Sequence, residues 1–172
     1  TALALLRDRL VVTSAKDGCS PQGACGCCTV MINGKAVMSC LRGAEQLEGA
    51  EVVTLEGFDA HRQEVLSRSF VEVAGLQCGY CVPGIAVRAA DLLDRKGAVT
   101  PDEVRHALHP HLCRCTGYTK IIEAITLAGQ HWNLGTLPSL RDDVAVGSAS
   151  PRVDGLRLAL GQRPFVDDMR AP

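Results

Sequence analysis

Residues 18–28 read Gly-Cys-Ser-Pro-Gln-Gly-Ala-Cys-Gly-Cys-Cys. Three glycines, a proline and four cysteines in eleven positions suit neither helix nor strand, so the stretch is a loop. Cys19, Cys25 and Cys28 are separated by five and then two residues, and Cys40 follows after eleven more. A plant-type [2Fe–2S] site uses a closely related C-x4-C-x2-C run with a distant fourth cysteine. Four thiolates around such a cluster carry net negative charge. A curling glycine-rich loop offsets that charge by turning backbone N–H groups inward, and glycine permits the close approach. Structural zinc is the other reading, but zinc sites usually pair two short C-x2-C knuckles instead of placing three ligands in one loop. Cys27 is adjacent to Cys28 and points elsewhere on a curling loop, so it is expected to be a small packing residue.

Downstream, residues 29–32 and 36–40 flank Asn33-Gly34-Lys35, where Asn-Gly accepts the positive φ of a tight hairpin. Cys40 is therefore expected on the far strand. Residues 51–55 read as a further strand, and residues 2–10, upstream of the loop, as a short amphipathic helix. After Gly57 the pattern turns helical. One helix is expected over 63–73, ending near Gly75, and another runs from the proline-bearing turn at Pro83 to Lys96, stopped by Gly97. A third opens at Thr100-Pro101-Asp102-Glu103, with a threonine cap and acids at the positive end of the dipole. The fourth covers 119–131. From Asn133 the pattern loosens, and 135–151 read as an extended linker. The fold class is α+β, with units at 1–57 and 58–132 and a tail at 133–172.

The helical unit carries its own cysteines, Cys78-Gly-Tyr-Cys81 and Cys113-Arg-Cys115, with 31 residues between the pairs. Each pair falls at an inter-helix turn or helix N-terminus, where unpaired N–H groups favour thiolate. Brought together, the two turns make a second four-thiolate site. Cys-Gly-Tyr-Cys alone resembles a thioredoxin redox pair, but that motif needs a preceding βαβ pattern, and this stretch is helical. His109 and His111 precede Cys113, as two histidine ligands of a Rieske site could. Eight cysteines already complete two sites, so both histidines read as loop residues. His61, His106 and His131 have no second ligand at metal spacing.

Nine cysteines, an odd number in tight groups, argue against a secreted disulfide scaffold and for ligands in a reducing cytosol. The formal net charge of −1, with Lys and Arg in no block, argues against nucleic acid or an anionic membrane as partner. No apolar run reaches the roughly 20 residues of a membrane span.

Lys16 to Cys19 (KDGC), Gly23 to Val30 (GACGCCTV), Gln77 to Gly84 (QCGYCVPG) and Leu112 to Tyr118 (LCRCTGY) together resemble the iron–sulfur subunit or domain of the molybdenum hydroxylases, the xanthine dehydrogenase and aldehyde oxidase family. The resemblance covers residues 2–132. It implies a plant-ferredoxin-like (β-grasp) domain with one [2Fe–2S] cluster, then a four-helix-bundle domain with the second. It further implies that Gln77 and Cys115 lie near a molybdopterin cofactor in a large partner chain, with FAD in a flavin subunit on the far side and the whole complex a dimer.

Three departures stand out. The first loop has one residue more than the family's usual run, so Pro21-Gln22 is expected to bulge outward. Family members usually carry an N-terminal β-hairpin before the opening helix, so Thr1 looks like a late start. Pro151 to Gly155, Gly161 and Phe165 to Pro172 look like the opening of the family's molybdenum-binding domain, which implies iron–sulfur and molybdenum parts joined without a flavin domain between them. The expected role is a one-electron relay in an oxidoreductase acting on a heterocycle such as a purine, or on an aldehyde, with no residue for the substrate chemistry on this chain. A stand-alone ferredoxin-like carrier and a zinc-stabilised interaction module are the rivals. The relay reading expects the tail to wrap another chain.

Overall fold

The structure is a computed structural model and describes residues 1–141 and 145–169. Part of the expected linker (142–144) and the end of the tail (170–172) lie outside the described residues.

The chain opens with helix α1 (Ala2–Ala4), which widens into a π-helical turn over Leu5–Arg9 and buries Ala2, Leu3 and Leu6. Strands β1 (Thr29–Ile32), β2 (Lys35–Met38) and β3 (Val52–Val53) form an antiparallel sheet in the order β2-β1-β3. The β1–β2 turn is the expected Asn33-Gly34, with φ of +49° and +73°. Asn33 also ties in β3, since its N–H donates to Glu51 O and its Oδ1 accepts from Glu51 N, both at 2.9 Å.

Two strand expectations need correction. The stretch 51–55 contributes only Val52–Val53 to the sheet, because Leu55 turns into the core and starts a 3-10 turn (Leu55–Gly57). Cys40 is not on the far strand but in a 3-10 turn, Ser39–Leu41, that follows β2. Ser39 causes that turn: its N–H and hydroxyl both donate to Cys28 O, at 3.2 and 2.7 Å, and draw the chain back toward the loop.

Helices α2 (Ala60–Glu72), α3 (Val82–Lys96), α4 (Pro101–Ala107) and α5 (Thr119–His131) follow. Helix α2 starts three residues before the apolar periodicity does, because the Asp59 carboxylate caps it by accepting from Arg62 N at 2.9 Å. The box at α4 is reciprocal: Thr100 Oγ1 accepts from Glu103 N, and Glu103 accepts from Thr100 N.

Successive residues of β1 face opposite sides. Val30 joins Leu3, Leu6, Ala15, Cys28 and Cys40 in a small core. Met31 joins Ala36 and the helical residues Val65, Phe70, Ile85, Leu93, Ile121 and Ile125 in a large one. Helix α3 therefore packs directly on the sheet, and one apolar core runs through both units.

The described residues of the expected linker carry no helix or strand, but the rest of the tail is not extended. Residues 151–169 turn back over the same body, forming helix α6 (Gly155–Ala159) against α2 and α3. Leu158 and Ala159 are buried in the large core, and Phe165 packs edge-on against Tyr80 with ring centroids 5.1 Å apart. At its end, Asp168 lies beside Lys16 (Nζ–Oδ2 2.5 Å), with the two side chains 1% and 0% exposed. Removing one member of such a pair leaves a buried, uncompensated charge, at a cost of about 3–5 kcal/mol.

Candidate functional site

The loop over residues 18–28 curls as its composition requires. Pro21 and Gln22 are exposed at its outer edge, next to Ser20 at φ +56°, while Cys25, Cys27 and Cys28 are buried. The Cys19 thiol collects backbone N–H groups, from Gln22 at 3.2 Å and also from Ala24 and Cys25. Burial alone would raise its pKa, but these donors bring it below the ordinary cysteine value. Cys25, against Cys19, is raised by burial. Cys28, against Cys40, is pushed up to about 11, chiefly by burial and partly by the neighbouring thiol, although the Cys40 N–H opposes this. A metal ligated by such thiols would have to displace their protons.

In the second group Cys81 caps the start of α3, and Cys113 and Cys115 lie in the turn before α5. Cys115 Sγ approaches Cys78 Sγ to 3.4 Å, and Cys81 lies against Cys113. Burial raises Cys78 and, more strongly, Cys81. It would raise Cys113 too, but the Thr116 hydroxyl at 3.1 Å and the N–H groups of Cys115 and Thr116 bring that thiol below its ordinary value. Cys78 and Cys115 are exposed, whereas Cys81 and Cys113 are buried.

The eight expected ligands thus meet in twos: Cys19 with Cys25, Cys28 with Cys40, Cys78 with Cys115, and Cys81 with Cys113. A rhombic [2Fe–2S] cluster needs that arrangement, because each of its irons takes two thiolates. A lone zinc ion would instead draw four ligands to one point. Cys27 falls outside these pairs. Its side chain packs in the large core, with Sγ 3.7 Å from Cys25 O, and burial raises its thiol far above the ordinary range.

The two cradles share a seam that the sequence did not announce. Leu112 N, adjacent to Cys113, donates to Cys25 O at 2.9 Å. His111 is buried, and its Nε2 lies 3.2 Å from Thr29 Oγ1, which itself donates to Gly26 O at 2.7 Å. Burial first, and the nearby Arg88 cation second, hold His111 down at about 4, so it is neutral at physiological pH. Both faces of the seam carry glycine. A Cβ on Gly26 (φ +69°) would lie 2.6 Å from Pro110 O, and one on Gly84 would lie 2.6 Å from Gly26 O. Tyr118 braces the second turn: its hydroxyl donates to His111 O at 2.9 Å and accepts from Cys113 N at 2.8 Å. Tyr118 sits in a recognisable motif, but a tyrosine there gives no sign that its hydroxyl will turn back on the loop before it. His109 and His111 remain loop residues, and the first is not part of the seam.

Four thiol pairs, two in the N-terminal unit and two in the helical one, with a backbone hydrogen bond between the units, form the arrangement that a two-cluster iron–sulfur protein would use. Residues 54–126 match the family model described as a [2Fe-2S] binding domain. The chain is 42% identical over 127 residues to the nicotinate dehydrogenase small FeS subunit of Eubacterium barkeri, covering 73% of this chain and 80% of that one. Among solved structures it superposes on the aldehyde oxidoreductase of Desulfovibrio desulfuricans with a TM-score of 0.86 and 33% identity, over 97% of this chain but only 19% of that one. On a chain of quinoline 2-oxidoreductase from Pseudomonas putida the TM-score is 0.70 with 39% identity, over 75% of this chain and 81% of that one. The chain belongs to the family of iron–sulfur subunits and domains of the molybdenum hydroxylases. Its role is electron transfer within an oxidoreductase, and its cofactors are [2Fe–2S] clusters.

Among the described residues no helix is long and apolar enough to cross a membrane.

Proposed function

We propose that this chain is the internal electron relay of a molybdenum hydroxylase, with the second cradle as the entry and the first as the exit. Cys78, Cys81, Cys113 and Cys115 would hold one cluster, and Cys19, Cys25, Cys28 and Cys40 the other. When bound, each [2Fe–2S] cluster supplies one-electron redox chemistry. The protein supplies position, N–H donors to sulfur, and exclusion of water. The observation that carries the reading is the pairing of eight thiols into two cradles whose backbones touch at Leu112 and Cys25.

The direction rests on exposure. Cys78 and Cys115 form an open rim, and Gln77, also exposed, donates from Nε2 to Cys115 O at 3.0 Å. This rim is where a molybdopterin cofactor held by a large partner chain would dock, with Gln77 and Cys115 nearest the pterin. A flavin-binding subunit carrying FAD, or another acceptor, would receive electrons at the first loop. The substrate would be an aldehyde or a heterocycle. Related proteins named for nicotinate, quinoline and aldehyde oxidation support that range and do not narrow it.

In domain terms, residues 1–57 correspond to a ferredoxin-like (β-grasp) unit and 58–132 to a four-helix [2Fe–2S] unit. Residues 133–172 would be the linker and opening of a molybdenum-domain-like segment. The likeness to the Desulfovibrio desulfuricans enzyme extends over 97% of the chain, which supports the last assignment. We further place the complex, as a dimer, in the reducing cytosol, where nine free thiols keep their ligand state.

Iron and sulfide analysis of the purified protein tests the reading, with about four irons and four labile sulfides expected per chain. Electron paramagnetic resonance of the reduced protein should resolve two cluster signals. A colourless, zinc-loaded protein would overturn it.

A further inference from the structure

The tail crosses from one unit to the other by a series of named contacts. Gly155 rests on Val71 of α2, and Leu158 covers Gly79 in the turn between Cys78 and Cys81. Gly161 sits so close to Ser14 and Pro83 that a side chain would touch both. Phe165 then stacks edge-on to Tyr80, and the crossing ends in a knot of charge. Asp168 takes Lys16 Nζ on one carboxylate oxygen at 2.5 Å and Arg7 Nη1 on the other at 3.1 Å. Asp167 takes Arg7 Nη2 at 2.8 Å and the Tyr80 hydroxyl at 3.1 Å.

This knot touches the first cradle at two places. The backbone N–H of Lys16 donates to Cys27 O at 3.1 Å, within the cysteine loop. The Tyr80 ring lies against Gly18, where a Cβ would be 3.4 Å from Tyr80 Cε1 and 3.1 Å from Cys25 Sγ. Its hydroxyl donates to Asp17 O at 3.1 Å, and Lys16 Nζ is 6.0 Å from its ring centroid. Arg7 and Lys16 of the N-terminal unit thus place positive charge near the cysteine loop, and among the described residues the tail's Asp167 and Asp168 pair with them.

We propose that Asp167 and Asp168 are positioning residues for electron transfer: by compensating Arg7 and Lys16, the docked tail sets the electron affinity of the first cradle. Uncompensated positive charge beside a cluster favours its reduced, more negative state and raises its potential. The proposal rests on the relay reading above.

The test is a redox titration of the iron-loaded protein in its assembled enzyme, following the two cluster signals by electron paramagnetic resonance. Asp168→Asn should shift the first cluster's midpoint upward, and by more than the second's. Asp167→Asn, at a half-exposed site that the fold tolerates, should shift it the same way by less. Arg7→Gln should shift it downward. If Asp168→Asn fails to take up iron, Asp167→Asn and Arg7→Gln decide by their opposite signs. A purely structural tail would loosen in each variant and move all midpoints in one direction. That result, or no shift in any variant, overturns the proposal. Absence of two cluster signals in the unsubstituted protein would instead overturn the relay reading itself.

Discussion

The first cysteine group draws three members from a single loop; Cys28 and Cys40 pack against the sheet and α1, Cys25 is buried in the large core, and Cys19 is half-buried. The second is assembled from two turns 31 residues apart and leaves Cys78 and Cys115 in solvent. A local loop can be closed around its contents before the rest of the chain arrives, whereas a site split between helices depends on tertiary packing and keeps an open edge. The contrast separates a mostly enclosed thiol group from one with an open edge. Yet the two share Leu112 N–Cys25 O and a continuous core, so they are distinct as ligand sets and joined as structure.

The sharpest way to break the comparison is to remove one ligand from each cradle. Cys28→Ser and Cys81→Ser should each lower iron from about four to about two per chain, leaving the other cluster's resonance intact. Loss of both clusters from either substitution would mean that the cradles form only together. Next in size is Gly84→Ala, which drives a methyl into Gly26 O across the seam. Overpacking against backbone costs about 1–3 kcal/mol. Thermal unfolding should register it as a midpoint several degrees lower, with both cluster signals perturbed. Exposure supplies a kinetic version of the contrast: during incubation with an iron chelator, the second cluster's signal should fade severalfold faster than the first's. The smallest effect should come from Thr100→Ala, which removes the cap of α4 outside both cradles. It should cost about 1 kcal/mol of stability and leave both resonances unchanged.

The grouping of the cysteines was legible in the sequence because cysteine spacing and glycine density are local properties. The hairpin at Asn33-Gly34 and the starts and stops at Thr100 and Gly97 were legible for the same reason. What escaped was set by partners distant in sequence. Cys40 was expected on a strand, but its neighbour Ser39 bonds back to Cys28 and tightens the backbone there. The early start of α2 was hidden because His61 and Arg62 carry no apolar signal, while Asp59 supplies the cap. The tail looked extended because its short helix has few apolar residues of its own. The burial of Leu158 and Ala159 and the pairing of Asp168 depend on surfaces that exist only once the body has formed. His111 read as a loop residue, and so it is; its contact with Thr29 depends on that loop meeting the start of β1, 82 positions away.

The Arg7–Asp168 pair joins residues 161 positions apart. A ribosome releases a chain from its N-terminus, so α1 emerges with Arg7 and Lys16 lacking these acids until nearly the whole described chain has been made. The glycine-rich cysteine loop is complete far earlier. A cluster bound by the first cysteine group would therefore have a window during synthesis in which the loop exists and the tail has not yet docked.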